Sequence, residues 1–293
     1  HLKNFSTKWI DKVWVQTECK ICTFPIPFSS IKFFGKGAGK PFCKKVFPQK
    51  INIQREFTPM LAIYKKEMRG YFTTPLGYVF IAVFLAVSGF MFAVGTLQSG
   101  TSDVSGYFQL MIFGYIVIVP LLTMRTFAEE RRTRTEQLLL TAPISITSMI
   151  MAKFLAAFTM FAGTVLLSCL YYLPLFGYGE PNVGKAAGCL IAMLLIGMCF
   201  ISVGIFVSTL TESTVTASIG TMAILLGFAV AAIFNNLIDT YLIRYVLNWI
   251  SVYSRYVNFT NGIFDIAATV YYLSITAVFL FLSVRIYERR RYA

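Results

Sequence analysis

Acidic side chains are scarce in this sequence and histidine is nearly absent. There are 13 Asp+Glu against 26 Lys+Arg in 293 residues, and the one histidine is His1. Charged residues of both signs make up 13%, where a soluble domain averages about 25%. Set beside 57% hydrophobic residues, so little charge excludes an ordinary soluble domain. No H-E-x-x-H or Gly-x-Ser-x-Gly occurs, so hydrolysis inside a membrane has no visible residues. A phosphate-binding loop is missing too. Gly35, Gly37, Gly39 and Lys40 come nearest, but Phe34 stands where the first loop glycine belongs and Pro41 follows the lysine in place of Ser or Thr. A zinc site needs four ligands at restricted spacings. Cys19, Cys22 and Cys43 do not supply them, and Cys169, Cys189 and Cys199 sit in apolar runs where a thiol packs as a small hydrophobe. Neither a catalytic residue, a cofactor site nor a metal site is expected in this chain.

What is present is a net charge of +13, unevenly placed. Eleven of the Lys+Arg fall in residues 1–59, against three Asp+Glu. The rest cluster at the ends of apolar runs, the pattern of membrane-flanking charge and not of nucleic-acid binding. Residues 1–57 form a basic, poorly organised extension with turn-forming Pro and Gly and no sustained period. It lacks the apolar core of a secretory signal. The first Met is Met60, and the expectation is that residues 1–59 are translated upstream of the natural start or form a basic tail on anionic lipid.

Organised sequence begins near Thr58. Thr58-Pro59 reads as a helix N-cap followed by a first-turn proline. Leu61, Tyr64, Met68 and Tyr71 then recur at helical spacing, with Lys65, Lys66, Glu67 and Arg69 between them, which predicts an amphipathic helix lying in the bilayer surface and ending at Pro75. A membrane span needs about 20 apolar residues. Six runs qualify: Leu76–Leu97, Tyr107–Phe127, Met149–Phe176, Ala187–Leu210, Val215–Ile238 and Ile263–Val284. The fold class is therefore an all-α integral membrane protein, with residues 58–293 as one six-span domain. Even parity puts both termini on one side. Lys65, Lys66 and Arg69, then Arg125, Arg131, Arg132 and Arg134, then Arg285 and Arg289–Arg291 flank that side, while the opposite loops hold only Lys185, Arg244 and Arg255. The positive-inside rule makes the richer side cytoplasmic.

Charge within the spans is nearly absent. Arg125 and Lys153 lie near the cytoplasmic ends and Asp265 near the outer end. Ion paths and proton relays use ionisable groups at mid-depth, so a proton-coupled carrier or selective channel is disfavoured, and energy must come from elsewhere. In span 5, Ala223, Gly227 and Ala231 recur every four residues, a spacing that lets backbones approach closely at a subunit interface or within one bundle. Pro120 should kink span 2. In the last outer loop, Leu242, Tyr245, Trp249 and Tyr256 form one face and Arg244, Asn248, Ser251 and Arg255 another. This reads as an interfacial or re-entrant helix, or as an aromatic anchor with no part in transport.

The loop from Arg125 to Ser148 is the most informative segment. Glu129, Glu130, Arg131, Arg132, Arg134, Glu136 and Gln137 are followed by Leu138, Leu139 and Leu140, and Pro143 stops the pattern. Residues 127–141 read as a short amphipathic helix whose leucines suit a protein groove and whose charges fix register.

Glu129-Glu130-Arg131, then Thr135-Glu136-Gln137-Leu138-Leu139 and Thr141-Ala142-Pro143-Ile144-Ser145, resemble the region after the second span of ABC-2-type transporter permeases. The resemblance extends over roughly residues 60–293, and within the group it is nearest to the gliding-motility and copper-processing permeases. It implies a subunit of a bacterial ATP-driven exporter in the cell membrane, paired with a second permease as a homo- or heterodimer. ATP and Mg would bind a separate ATPase chain. Glu129, Glu130, Arg131, Glu136, Gln137, Leu138, Leu139 and Thr141 would form the coupling segment against that ATPase. Tyr64, Lys65, Glu67 and Met68 would belong to a connecting helix, and Ala223, Gly227 and Ala231 would be available for dimer packing. A six-span scaffold or anchor without transport activity is the rival reading. It would not require the ATPase-docking loop.

Overall fold

In lipid a backbone has no water to bond, so each apolar run must satisfy its own N–H and C=O groups, which a helix does. The computed structural model is helical throughout the residues it describes: 53–98, 104–135, 145–173, 183–237 and 265–292, with Val252, Arg255, Tyr256 and Phe259. For residues 53–59, 232–237 and 292 only the backbone is described. The basic extension and most of the aromatic outer-loop pattern lie outside these residues.

The elements are α1 (Ile53–Thr73), α2 (Pro75–Phe92, prolonged by a π turn over Ala93–Leu97), α3 (Ser105–Thr123), α4 (Ala128–Arg132), α5 (Ile146–Ser168, prolonged by a 3-10 turn over Cys169–Tyr172), α6 (Val183–Leu210), α7 (Thr214–Leu237) and α8 (Ile266–Tyr292). α2, α3, α5, α6, α7 and α8 are each long and apolar enough to cross a membrane, as expected. Several boundaries differ from the sequence reading by a few residues, and two of the differences have a local reason. α1 begins at Ile53, so Pro59 falls in its second turn, where the missing N–H removes one i→i−4 bond. α8 runs eight residues past Val284, because its end is polar and self-supporting: Arg285 Nη1 reaches Glu288 Oε2 at 3.1 Å one turn on. α2 starts where Thr74 holds an extended backbone and Pro75 supplies a preset φ at the first helical position. α3 runs through Pro120 and continues to Thr123.

α3 and α6 form the centre. In the most apolar stretch of each, 67% of residues are buried, against 17% in α7 and 28% in α2 and α8. α6 packs on α3, α5, α7 and α8, while α1 packs along α5 and α2. Apolar side chains gain little by leaving lipid for protein, so spans associate through close van der Waals fit and small residues. A side chain at Gly204 of α6 would collide with Thr123 of α3, and one at Gly197 would collide with the Phe161 ring of α5. Phe161 packs edge-on against Tyr115 at 5.0 Å and Phe84 at 6.0 Å, which joins α2, α3 and α5 in one aromatic core.

The contact at Gly204 has a direct test. Gly204→Leu should wedge α3 from α6 and destabilise the bundle by roughly 1–3 kcal/mol, the usual range for overpacking. Thermal melting of the detergent-solubilised chain measures it, and Gly163→Ala, whose site is open, serves as the control that should not shift.

Candidate functional site

The short α4 is held by three sets of contacts at the end of the bundle where α3 and α8 finish. It spans Ala128–Arg132, not the whole of 127–141. The helix stops because Thr133 turns its hydroxyl back onto the carbonyls of Glu129 (2.9 Å) and Glu130 (3.3 Å), and Arg134 takes a left-handed φ of 57°. Such a residue ends a helix, and a non-glycine there costs about 1 kcal/mol or more. Glu136, Gln137, Leu138, Leu139 and Thr141 lie outside the described residues.

The first contact is ionic. Lys153 lies two turns inside α5 and is 1% exposed, yet its ammonium is hydrogen-bonded and charge-matched. It donates to the Thr126 carbonyl at 2.9 Å and to Glu67 Oε1 at 3.0 Å, and its ammonium pairs with Glu130 Oε1 at 2.8 Å. Its Nζ also lies 5.0 Å from the centre of the Phe127 ring. Lys66, at the surface, closes the group from outside at 3.4 Å from Glu130 and 3.8 Å from Glu67. Two carboxylates meet two ammonium groups, so the cluster is neutral although only Lys66 is well exposed. Tyr71, one turn beyond Glu67, has its hydroxyl pushed well above the usual tyrosine range by burial and by the Glu67 carboxylate, so it stays neutral there.

The second contact is to the end of α6. The backbone N–H groups of Phe127 and Ala128 both donate to Ser208 Oγ at 3.1 Å, which satisfies two of the orphan donors at the start of α4. Arg131 donates to the Leu210 carbonyl at 3.3 Å and pairs with Glu212 at 3.0 Å. The third contact is aromatic: the Phe127 ring packs on Tyr287 of α8 at 5.0 Å. Four elements, α1, α5, α6 and α8, thus converge on one turn of nine residues, 124–132. Such a turn cannot shift without moving its neighbours.

Comparison with known families decides what this arrangement belongs to. The family described as ABC-2 family transporter protein matches residues 96–286. The chain belongs to that family. It is a multi-pass membrane protein and a transport subunit without catalysis of its own. No curated protein gives a significant match.

In this permease the residues singled out by sequence divide into inward and outward sets. Glu67, Glu130 and Arg131 point inward and hold the bundle together. Tyr64 also serves packing, its hydroxyl donating to Thr159 Oγ1 of α5 at 3.2 Å, and Met68 packs against the core. Lys65, Glu129 and Arg132 are exposed, and among the described residues Glu129 makes a loose pair with Arg125 at 3.8 Å. Ala223 and Gly227 lie on a bare face of α7, with no atom of the described residues within 4 Å of where a Gly227 side chain would begin. Ala231 is half-buried. The small-residue stripe is therefore not a tight contact among the described helices. Sequence reading placed Lys153 near a membrane face but did not give it a partner. A single lysine eight residues into an apolar helix, with glutamates in both neighbouring polar segments, is the signal that carries it. Ser208 and Tyr287 gave no signal, since serine and tyrosine are ordinary in such helices.

Removing one member of a buried ionic cluster leaves the others uncompensated. Lys153→Met should destabilise the permease by roughly 3–5 kcal/mol and make α1 more open to limited proteolysis. Adding Glu67→Gln and Glu130→Gln to that variant should restore most of the melting temperature. A triple variant no more stable than the single one would mean that packing, not charge balance, sets the cost.

Proposed function

We propose that this chain is the membrane-spanning half of an ATP-binding-cassette exporter. It works as a pair of permeases and takes its energy from a separate ATPase docked on α4 and the residues after it. One observation carries the reading. The α4 turn is tied by ion pairs, hydrogen bonds and ring contact to α1, α5, α6 and α8, while Glu129 and Arg132 project away from the bundle. A push on that turn is delivered to four elements at once, which is what a transporter without its own ATPase requires.

The remaining features support the same scheme. The basic residues flanking α1, α4 and α8 favour a cytoplasmic location for this end, where an ATPase would meet its nucleotide. The bare stripe on α7 suits a second copy, because small residues let two helices approach closely in lipid. The gliding-motility and copper-processing kinship proposed for the chain fits an export role. The transported molecule is not specified by any residue described.

Inward and outward residues make separable tests. Glu129→Arg and Arg132→Glu should weaken capture of a P-loop ATPase from the native membrane by about tenfold, the effect of roughly 1.4 kcal/mol, while the melting temperature stays put. Glu130→Arg should lower the melting temperature as well, since it sets an arginine against Lys153. Pull-down in mild detergent followed by an ATPase assay reads both. If the permease purifies without any ATPase, the scaffold reading replaces this one.

A further inference from the structure

The last turns of α8 carry more positive charge than the described residues neutralise. Beyond Val284 the helix holds Arg285, Arg289, Arg290 and Arg291 against a single carboxylate, Glu288. That carboxylate is already taken, since Arg285 Nη1 lies 3.1 Å from Glu288 Oε2. Among the described residues no carboxylate pairs with the other three arginines. The negative end of the helix dipole favours cations here, but it amounts to only about half a charge.

Arg290 differs from its neighbours. Arg289 and Arg291 are exposed, while Arg290 is half-buried. Its guanidinium carbon lies 5.8 Å from the centre of the Tyr287 ring, and Nη1 is buried with no hydrogen-bond partner among the described residues. Tyr287 in turn packs on Phe127 at 5.0 Å. The guanidinium is thereby placed beside the turn between α3 and α4. A cation that gives up part of its hydration needs an anion in exchange, and a guanidinium fork matches the oxygens of a phosphate.

The face of α8 that leads up to these arginines is apolar and bare. Val278 is 55% exposed, Phe281 56% and Leu282 40%. Arg285 and Arg289 continue that stripe, and Arg289 stands two turns beyond Phe281, about 12 Å along the axis. Arg285 lies over the Phe281 ring at 5.1 Å, so the apolar and basic parts adjoin. The stretch from Ile266 to Val284 matches the thickness of the hydrocarbon core, which sets the arginines at the depth of lipid phosphates.

The geometry points to a binding site for one anionic phospholipid at the end of α8. Its phosphate lies between Arg289 and Arg290, and its acyl chains run along Phe281 and Leu282. Three unmatched arginines favour a lipid of net negative charge over a zwitterionic one, whose own cation offsets its phosphate. A free phosphate or an acidic protein segment would meet the arginines but leave the apolar stripe below them uncovered. Through Arg290, Tyr287 and Phe127 the bound lipid steadies α8 against the α4 turn. The site needs only the membrane character of the chain and stands apart from any ATPase docked on α4.

The experiment is native mass spectrometry of the detergent-solubilised permease titrated with phosphatidylglycerol, phosphatidylcholine or inorganic phosphate, with thermal melting in parallel. Phosphatidylglycerol should bind more tightly than phosphatidylcholine and raise the melting temperature. Arg290→Gln should weaken the first phosphatidylglycerol about tenfold, as loss of a charge-assisted hydrogen bond does, and abolish the rise in melting. Arg289→Gln, which removes an exposed side chain and so leaves the fold intact, should weaken it about fivefold. Lys185→Gln, at the other end of the bundle, removes one charge as well and should change neither. Equal binding of the two lipids overturns the proposal, and so does an equal loss in Lys185→Gln, which would mean attraction by net charge alone. Inorganic phosphate that displaces phosphatidylglycerol at similar concentration would make the ligand a free anion and overturn the lipid assignment. Arginine variants that keep their lipid but lose a co-purifying acidic protein would overturn it in favour of a protein partner.

Discussion

A lysine ammonium buried among helices is tolerated only if it is hydrogen-bonded and its charge is matched, because desolvation of an unpaired ion costs several kcal/mol. Lys153 meets that demand with Glu67, Glu130 and the Thr126 carbonyl. These come from three different segments of the chain. The first helix, the α4 turn and the third span are thereby held in one relative position by chemistry that admits few alternatives. Apolar packing in lipid does not impose such a choice, since one greasy contact resembles another. The cluster specifies where α1 and α4 sit, and the remaining contacts of α4 build on that placement.

The interior of the bundle follows a different rule. α3 and α6 approach closely because Gly204 and Gly197 leave room for Thr123 and Phe161. The outer helices are bare by comparison: α7 and α8 expose Val215, Ile219, Val278 and Phe281. In water this would be an aggregation hazard, but beside lipid it is the expected surface. The protein is thus tight at the centre, ionic at one end and apolar around its rim.

The six spans and a helix before them were legible from the sequence, because length and unbroken hydropathy are enough to define a span. Orientation of side chains was not. Glu130 and Glu129 are adjacent and chemically alike, yet one turns in to Lys153 and the other stays out. Only the course of α5 past α4 decides which. The extent of α4 was overread for a local reason. Glu, Arg and Gln favour a helix, but Thr133 competes for the carbonyls and Arg134 adopts a left-handed backbone. The stripe at Ala223, Gly227 and Ala231 reads from sequence as a packing surface, yet among the described helices Ala223 and Gly227 are exposed.

The order of residues along the chain bears on how the protein is made. Both carboxylates of the ionic cluster, Glu67 and Glu130, precede Lys153 in the sequence. A ribosome delivers the N-terminal part first, so both counter-ions are synthesised before the ammonium group of α5. The lysine is therefore never made ahead of the carboxylates that match its charge.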